Sequence, residues 1–142
     1  NDVLDTILTE KSLACKENNI VVSCVADGKG LEFLHPIDLY TIFGNAMDNA
    51  IECVKNLQKQ EKRQIDVLIH RQHQFLIVQI MNPVEEELEF EDNLPVTTKH
   101  DKAYHGYGLR SIKNSVKKYN GVFQVKIKDG CFCLKILFPI KE

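Results

Sequence analysis

Two pairs of β-rich segments, each pair joined by a short turn, constrain the fold of this chain most strongly. The first pair covers residues 64–71 and 74–82, and the second lies on either side of Asp129-Gly130. An Asp-Gly dipeptide between two such runs is one of the strongest hairpin signals in a sequence. The sequence therefore predicts two β-hairpins, which exclude an all-helical fold.

Three segments with helical character accompany the hairpins. They are predicted at residues 1–18, 36–59 and 106–119. The second begins with Pro36, which suits a first helical turn because its missing N–H is not needed there. Its apolar positions recur at helical spacing and form one stripe: Leu39, Ile42, Phe43, Ala46, Ala50, Val54 and Leu57. A strand is predicted at 20–26, and residues 83–105 show no periodicity.

The order of these elements is α-β-α-β-β-loop-α-β-β. It lacks the βαβα alternation of a parallel sheet and indicates an α+β fold. We expect a two-layer sandwich, with a mixed, mostly antiparallel sheet of about five strands and three helices on one face. A chain of 142 residues, 44% of them hydrophobic, is long enough to build one such core.

Composition excludes several classes of protein. The net charge of −2 argues against a general nucleic-acid binder, and no run of residues is long and apolar enough to predict a membrane span. The number of cysteines, five, is odd, and no two of them form a C-x-x-C motif. We interpret them as reduced thiols of a cytoplasmic protein.

A polar strip interrupts the apolar helix at 36–59. Asn45 and Asn49 are four residues apart, and Glu52 follows three later, so the three side chains share one side of the helix. Amide oxygens are hard ligands that suit Mg²⁺ together with phosphate and water. The alternative is that both amides are simply solvated.

Three further features could contact a ligand. Gly106 and Gly108 precede a helix whose N-terminal N–H groups would attract an anion. Asn82 ends a strand, where its amide could pair with a base edge or merely terminate the strand. Lys99 and His105 belong to a local positive cluster ahead of the glycines, although a solvated lysine is the commoner case.

Taken together and in this order, these motifs resemble the GHKL superfamily, the nucleotide-binding fold of DNA gyrase and the sensor histidine kinases. GNAMDNAIECV resembles the N-box helix, and HGYGL resembles the glycine box that follows a mobile ATP lid. D-N-A-I-E, an Asn at the adenine position, T-T-K and H-G-x-G-L recur together in the Agr-type, peptide-pheromone-receptor kinases. The usual D-x-G-x-G is missing, because Pro83 follows Asn82.

The resemblance implies a role for each matching residue. Asn49 would hold Mg²⁺ against the triphosphate of ATP, and Asn82 would contact adenine. Asn45 stands where the hydrolytic members carry a Glu that activates water. Residues 83–105 would form the lid, and the phosphates would be approached by Lys99, His105, Gly106, Gly108 and Leu109. Glu52 replaces a basic residue of many kinases.

The resemblance also implies an activity, in which the γ-phosphoryl of ATP passes to a histidine on an upstream helical dimerisation domain. Residues 1–18 would be the end of that helical domain and 19–142 the catalytic domain. A response regulator is the other implied partner, and the full-length protein would be anchored in the membrane. The alternatives are an ATP hydrolase of the same fold and a non-enzymatic interaction module that binds no nucleotide.

Overall fold

A five-stranded sheet and a layer of helices on one of its faces make up this computed structural model, which describes residues 1–85, 89–91, 94–96 and 102–140. The helices are α1 (Asp2–Glu17), α2 (Pro36–Leu39), a π-helical segment (Tyr40–Gly44), α3 (Asn45–Val54) and α4 (Lys102–Lys117). The strands are β1 (Val21–Ala26), β2 (Gln64–Gln72), β3 (Phe75–Pro83), β4 (Glu89–Glu91), β5 (Leu94–Val96), β6 (Val122–Lys128) and β7 (Cys131–Pro139). Short 3₁₀ turns lie at Gly28–Leu31 and Gln60–Lys62.

The main sheet has the order β1-β2-β3-β7-β6. β1 is parallel to β2, and the other neighbouring pairs are antiparallel. Asp129 and Gly130 connect β6 to β7 with φ angles of 54° and 74°, and a left-handed conformation at both positions is what a type I′ turn requires. Both predicted hairpins and the α+β class are confirmed.

The core lies between the helices and one face of the sheet. α2, the π-helical segment and α3 run on without a break as one helical segment, which we call the central helix. Six of its seven predicted stripe residues are buried, and Leu57, beyond its end, is partly buried against the core. α1 contributes Leu4 and Ile7 to this core, and α4 contributes Ile112 and Val116. The three predicted helical segments therefore form one layer.

Two predicted boundaries are wrong. The central helix ends at Val54 instead of about Lys59. Arg63 explains the early end, because its side chain donates hydrogen bonds to the carbonyls of Leu57 (2.8 Å) and Asn18 (3.3 Å) and so draws the chain toward β2. Residues 83–105 contain a two-stranded ribbon, β4 paired with β5, where we expected no regular structure.

Among the helices of the described residues, none combines the length and apolar character needed to cross a bilayer.

A buried carboxylate joins the start of the central helix to the end of α4. Asp38 is 6% exposed and accepts hydrogen bonds from the Tyr119 hydroxyl at 2.5 Å and from the Lys118 ammonium at 3.1 Å. The hydrogen bond from Tyr119, followed by the contribution of Lys118, holds the pKa of Asp38 below its usual value in spite of burial. Burial, followed by the same hydrogen bond, raises the pKa of Tyr119.

Replacing Tyr119 with Phe should lower the free energy of unfolding by about 1.5–3 kcal/mol at pH 7, since the buried carboxylate loses a donor. The depressed pKa of Asp38 means that its stabilisation is present above the unfolded pKa and is lost as pH falls through the folded pKa. The deficit of Tyr119→Phe should therefore shrink in acid. Urea titrations at several pH values measure it.

Tyr40→Phe is the matched control, because Tyr40 is 47% exposed. It should change stability by less than about 0.5 kcal/mol. Equal stability of the two variants at pH 7 would show that the bond between Tyr119 and Asp38 contributes nothing.

Candidate functional site

Asn45 lies where the π-helical segment becomes α3. Its side-chain nitrogen donates to the Thr41 carbonyl at 2.7 Å, which leaves the side-chain oxygen on the side of α4. A Cβ placed on Gly108 would lie 3.4 Å from that oxygen. The N-box helix and the glycine motif, 63 positions apart in the sequence as numbered here, are therefore in contact. π-Helical turns occur frequently at functional sites.

Asn49 lies one turn further along α3 and is 8% exposed. An amide in this position is costly to bury unless a partner satisfies it. The neighbouring carboxylates form ion pairs with lysines. Asp48 accepts a hydrogen bond from Lys11 of α1 at 2.6 Å, and Glu52 accepts one from Lys55 at 2.5 Å. The predicted polar strip therefore exists, with an ion-paired Glu52 at its side.

Asn82, at the end of β3, is almost completely buried, with 1% exposure. Its amide nitrogen donates to the Pro83 carbonyl at 3.0 Å. Its side-chain oxygen has no hydrogen-bond partner among the described residues. A buried acceptor without a partner costs about 1–3 kcal/mol, so this oxygen is suited to receive a hydrogen bond from a ligand.

Cys53 joins this end of the site and was missed in the sequence. Burial, the largest cause, raises the pKa of Cys53 to about 11, and the side chain of Asn82 lowers it by a smaller amount. The available signal was spacing, since Cys53 follows Asn49 by four residues and shares its side of α3.

The predicted helix start at the paired glycines is wrong. α4 begins at Lys102, so Gly106 and Gly108 lie inside the helix. The free N–H groups of a helix belong to its first four residues, and here these are residues 102–105. Leu109 is fully buried, which places its side chain in the core.

Two predicted phosphate-binding side chains lie outside the described part of the molecule. Lys99 falls in the undescribed stretch 97–101, and His105 is described only by its backbone in the first turn of α4. Among the described residues, no group of three or more His, Cys, Asp or Glu side chains could hold a metal ion.

The site therefore runs along one side of α3. Asn45 meets α4 at one end, Asn49 lies one turn further along, and α3 packs against β3, the strand that carries Asn82. Eight residues of α-helix span about 12 Å, a distance that suits an elongated ligand better than a lone ion. Hydrogen-bond acceptors mark both ends.

A sequence model of the GHKL domain family matches residues 34–139, well over half of the chain. The chain belongs to the GHKL domain family. The match includes the central helix, Asn82 and the glycine motif. No curated protein sequence matches this chain significantly.

Solved structures of histidine kinases share the GHKL fold of this chain. The catalytic domain of histidine kinase ThkA in a nucleotide-free form has 16% sequence identity and a TM-score of 0.72, covering 98% of this chain and 92% of that one. A second nucleotide-free form gives 15% identity and a TM-score of 0.75, with 98% and 91% coverage. Histidine kinase AdeS of Acinetobacter baumannii gives 12% identity and a TM-score of 0.67, with 99% and 64% coverage.

Gly108→Ala should raise the free energy of unfolding by about 0.5–1 kcal/mol, since Gly weakens a helix interior relative to Ala. The added Cβ meets Asn45 at ordinary contact distance. Thermal and urea unfolding of the ligand-free protein measure the change.

Gly121→Ala is the contrasting variant. Its Cβ would lie 2.7 Å from a Val116 methyl carbon and 3.0 Å from the Leu137 carbonyl oxygen, so this change should destabilise. If Gly108→Ala also destabilises, then the described packing of α4 on α3 is wrong.

Proposed function

We propose that this GHKL domain is the ATP- and Mg²⁺-binding catalytic domain of a two-component sensor histidine kinase. Its substrate is the γ-phosphoryl group of ATP, and its acceptor is a histidine on an upstream helical dimerisation domain. The observation that carries the proposal is the buried side-chain oxygen of Asn82, which has no hydrogen-bond partner among the described residues, together with the contact of Asn45 with the glycine motif.

The base end of the site fits adenine. The exocyclic amino group of adenine is a hydrogen-bond donor, and the Asn82 oxygen is an acceptor without a partner in the described residues. Donation from the base would remove the cost of burying that oxygen. This fit supports a nucleotide independently of the family resemblance.

The middle of the site fits the metal-bound triphosphate. Asn49 supplies an amide oxygen, a hard ligand, and Mg²⁺ takes few protein ligands when phosphates supply the others. When bound, Mg²⁺ neutralises charge on the transferring phosphoryl group. Lys99, His105 and the backbone of Gly106, Gly108 and Leu109 are proposed as the phosphate-side contacts.

Asn45 favours transfer over hydrolysis. Its amide donates to the Thr41 carbonyl, and an amide cannot take a proton from water as a general base. A kinase domain that retains ATP until an acceptor arrives benefits from this substitution. The hydrolase alternative lacks a base at this position.

The partners and the setting of the protein belong to the same proposal. Residues 1–18, which include α1, would be the end of the dimerisation domain, and residues 19–142 the catalytic domain, with a response regulator downstream. The D-N-A-I-E, T-T-K and H-G-x-G-L motifs support an Agr-type, quorum-sensing receptor kinase. Such a receptor would be membrane-anchored and would hold this domain in the cytoplasm, without contact to nucleic acid.

One observation favours the second candidate, a module that binds no nucleotide. Gly106 and Gly108 lie inside α4, where their N–H groups follow the first four helical residues and are used by the helix. In this conformation they are not free for phosphate. The stability of the domain, measured as Mg-ATP is added, decides between the two candidates. A nucleotide that binds should add about 2.7 kcal/mol to the free energy of unfolding at 100 times its Kd.

Asn49→Ala should weaken Mg-ATP binding by about ten- to a hundredfold, the loss expected for a bond to a charged group, and should keep the fold. Calorimetric titration with and without Mg²⁺ measures the loss. Asn114→Ala, an exposed amide on α4, is the matched control and should bind as the parent does. Unchanged Mg²⁺-dependent binding by Asn49→Ala would remove this residue from the metal site.

The chain alone should acquire no acid-labile phosphate from Mg-ATP, and its steady-state ATP turnover should be negligible. The reason is that Asn45 supplies no base for water and that the proposed acceptor belongs to another domain. Radiolabelled ATP and a phosphate-release assay measure both quantities. Substantial turnover would favour the hydrolase, and labelling of the chain would place the acceptor within residues 1–142.

A further inference from the structure

The two outer strands of the main sheet, β1 and β6, differ in how their free edges are protected. β6 carries two exposed lysines, Lys126 and Lys128. β1 has the sequence VVSCVA, which contains no charged residue and no proline. Charged side chains and proline on an edge strand hinder its pairing with another chain. The edge of β6 is therefore protected, whereas the edge of β1 is not.

The backbone of β1 directs alternate residues to its open edge. The N–H of Val21 donates to the Arg63 carbonyl at 2.9 Å, and the N–H of Asp27 donates to the Ile69 carbonyl at 3.2 Å. Because the hydrogen-bonding direction alternates along a strand, the odd-numbered residues of β1 bond to β2. The N–H and C=O groups of residues 22, 24 and 26 then point away from the sheet, and no second strand pairs with β1 in the described part of the molecule.

Two exposed valines lie on the face of β1 that is turned away from the helices. Val22 is partly buried against the core, so the residues on either side of it point to the opposite face of the sheet. Val21 and Val25 are 66% and 65% exposed on that face, with Ser23 between them. Covering these valines would remove apolar surface from water, which favours association.

We propose that β1 pairs antiparallel with β1 of a second copy of this chain, on a two-fold axis at Ser23. In this register, backbone hydrogen bonds join Val22 of each copy to Cys24 of the other, since both residues direct their backbone groups outward. Val21 of each copy lies opposite Val25 of the other, at a non-hydrogen-bonded position, where side chains are closest. This inference is independent of the proposed function.

A neighbouring register fits the side chains less well. An axis at Cys24 would place Val25 opposite Ser23 of the other copy and Val21 opposite Asp27, so that each valine would face a polar side chain. The axis at Ser23 pairs both valines with valine, and cross-strand pairs of β-branched residues stabilise a sheet.

The charges of α1 support the same antiparallel arrangement. α1 packs against β1, and the N–H of Ile20 donates to the Cys15 carbonyl at 2.8 Å where the chain passes from one to the other. A groove follows the exposed side of α1, with Asp5 at one end and Lys16 at the other. A two-fold axis perpendicular to the sheet makes the two α1 helices antiparallel. The acidic end of one groove is then directed toward the basic end of the other, so the surface is complementary to itself.

Charge exchange across the valine pair tests the register. Sedimentation equilibrium measures the dimerisation constant of the parent chain and of double variants at Val21 and Val25. The parent should dimerise. Val21→Lys with Val25→Lys should weaken dimerisation about ten- to a hundredfold, because lysine then lies opposite lysine. Val21→Lys with Val25→Glu should restore it, because each lysine then lies opposite a glutamate of the other copy.

Val122→Lys is the matched control. Val122 is 48% exposed on β6, the other outer strand, and its replacement should leave the dimerisation constant unchanged. Circular dichroism establishes that each variant is folded.

Cross-linking gives a second test of the axis. Residues paired at a non-hydrogen-bonded position have Cα atoms about 4.5 Å apart, a separation that a disulfide can bridge. In a Cys24→Ser background, oxidation of Ser23→Cys should therefore join two copies. Val25→Cys in the same background should not be joined, since its counterpart in the other copy lies several residues away.

Four results would overturn the inference. They are a parent chain that stays monomeric at the highest concentration at which it is soluble, a double-lysine variant that dimerises as the parent does, a lysine–glutamate variant that stays monomeric, and cross-linking at position 23 no greater than at position 25.

Discussion

The packing of the central helix on β3 is the interaction on which the rest of the molecule depends. One side of this helix is apolar and buried, from Leu39 through Phe43 to Val54. That burial fixes the rotation of the helix, and rotation fixes where the remaining side chains point. Asn45, Asn49 and Cys53, spaced by four, must then follow one edge of the helix at about 6 Å intervals. The length and position of the candidate site therefore follow from the way in which the core is packed.

The same packing buries Asn82 without a described hydrogen-bond partner for its side-chain oxygen. This amide takes a place in β3 where Leu76, Val78 and Ile80 of the same face are buried hydrophobic residues, and its oxygen is left without a described partner. A hydrophobic residue would fill this place without that cost. Buried polar groups that the fold does not satisfy are expected where binding satisfies them. If Asn82 contacts the nucleotide as proposed, the hydrogen bond that the ligand-free domain lacks would be formed on binding.

Much of the fold could be predicted because its signals are local. The Asp129-Gly130 turn, the strand runs and the apolar stripe each depend on a few neighbouring residues. The end of the central helix could not be predicted, because it depends on Arg63 reaching the Leu57 carbonyl. The start of α4 was misplaced because glycine is a weak helix former, and the helix nevertheless begins at Lys102 and contains both glycines.

The candidate site, too, could be predicted from the sequence only where its signals are local. Spacing alone placed Asn45 and Asn49 on one side of a helix, and the motif order associated them with Gly108, which Asn45 contacts. α3 also packs against β3, the strand that carries Asn82. No pattern within either segment predicts which residue of α3 lies nearest the end of β3, because that depends on how the helix packs on the sheet.

The two ends of the candidate site differ in how far the fold fixes their geometry. The proposed base end is built from β3, which lies between β2 and β7 in the sheet, so its geometry does not depend on a ligand. At the proposed phosphate end, the N–H groups of Gly106 and Gly108 become free only if the first turns of α4 unwind. Glycine lowers the cost of such unwinding by about 1 kcal/mol per residue relative to alanine. Gly108 in its helical state has room for a Cβ, so packing does not require a glycine there, whereas the proposed phosphate-bound conformation would.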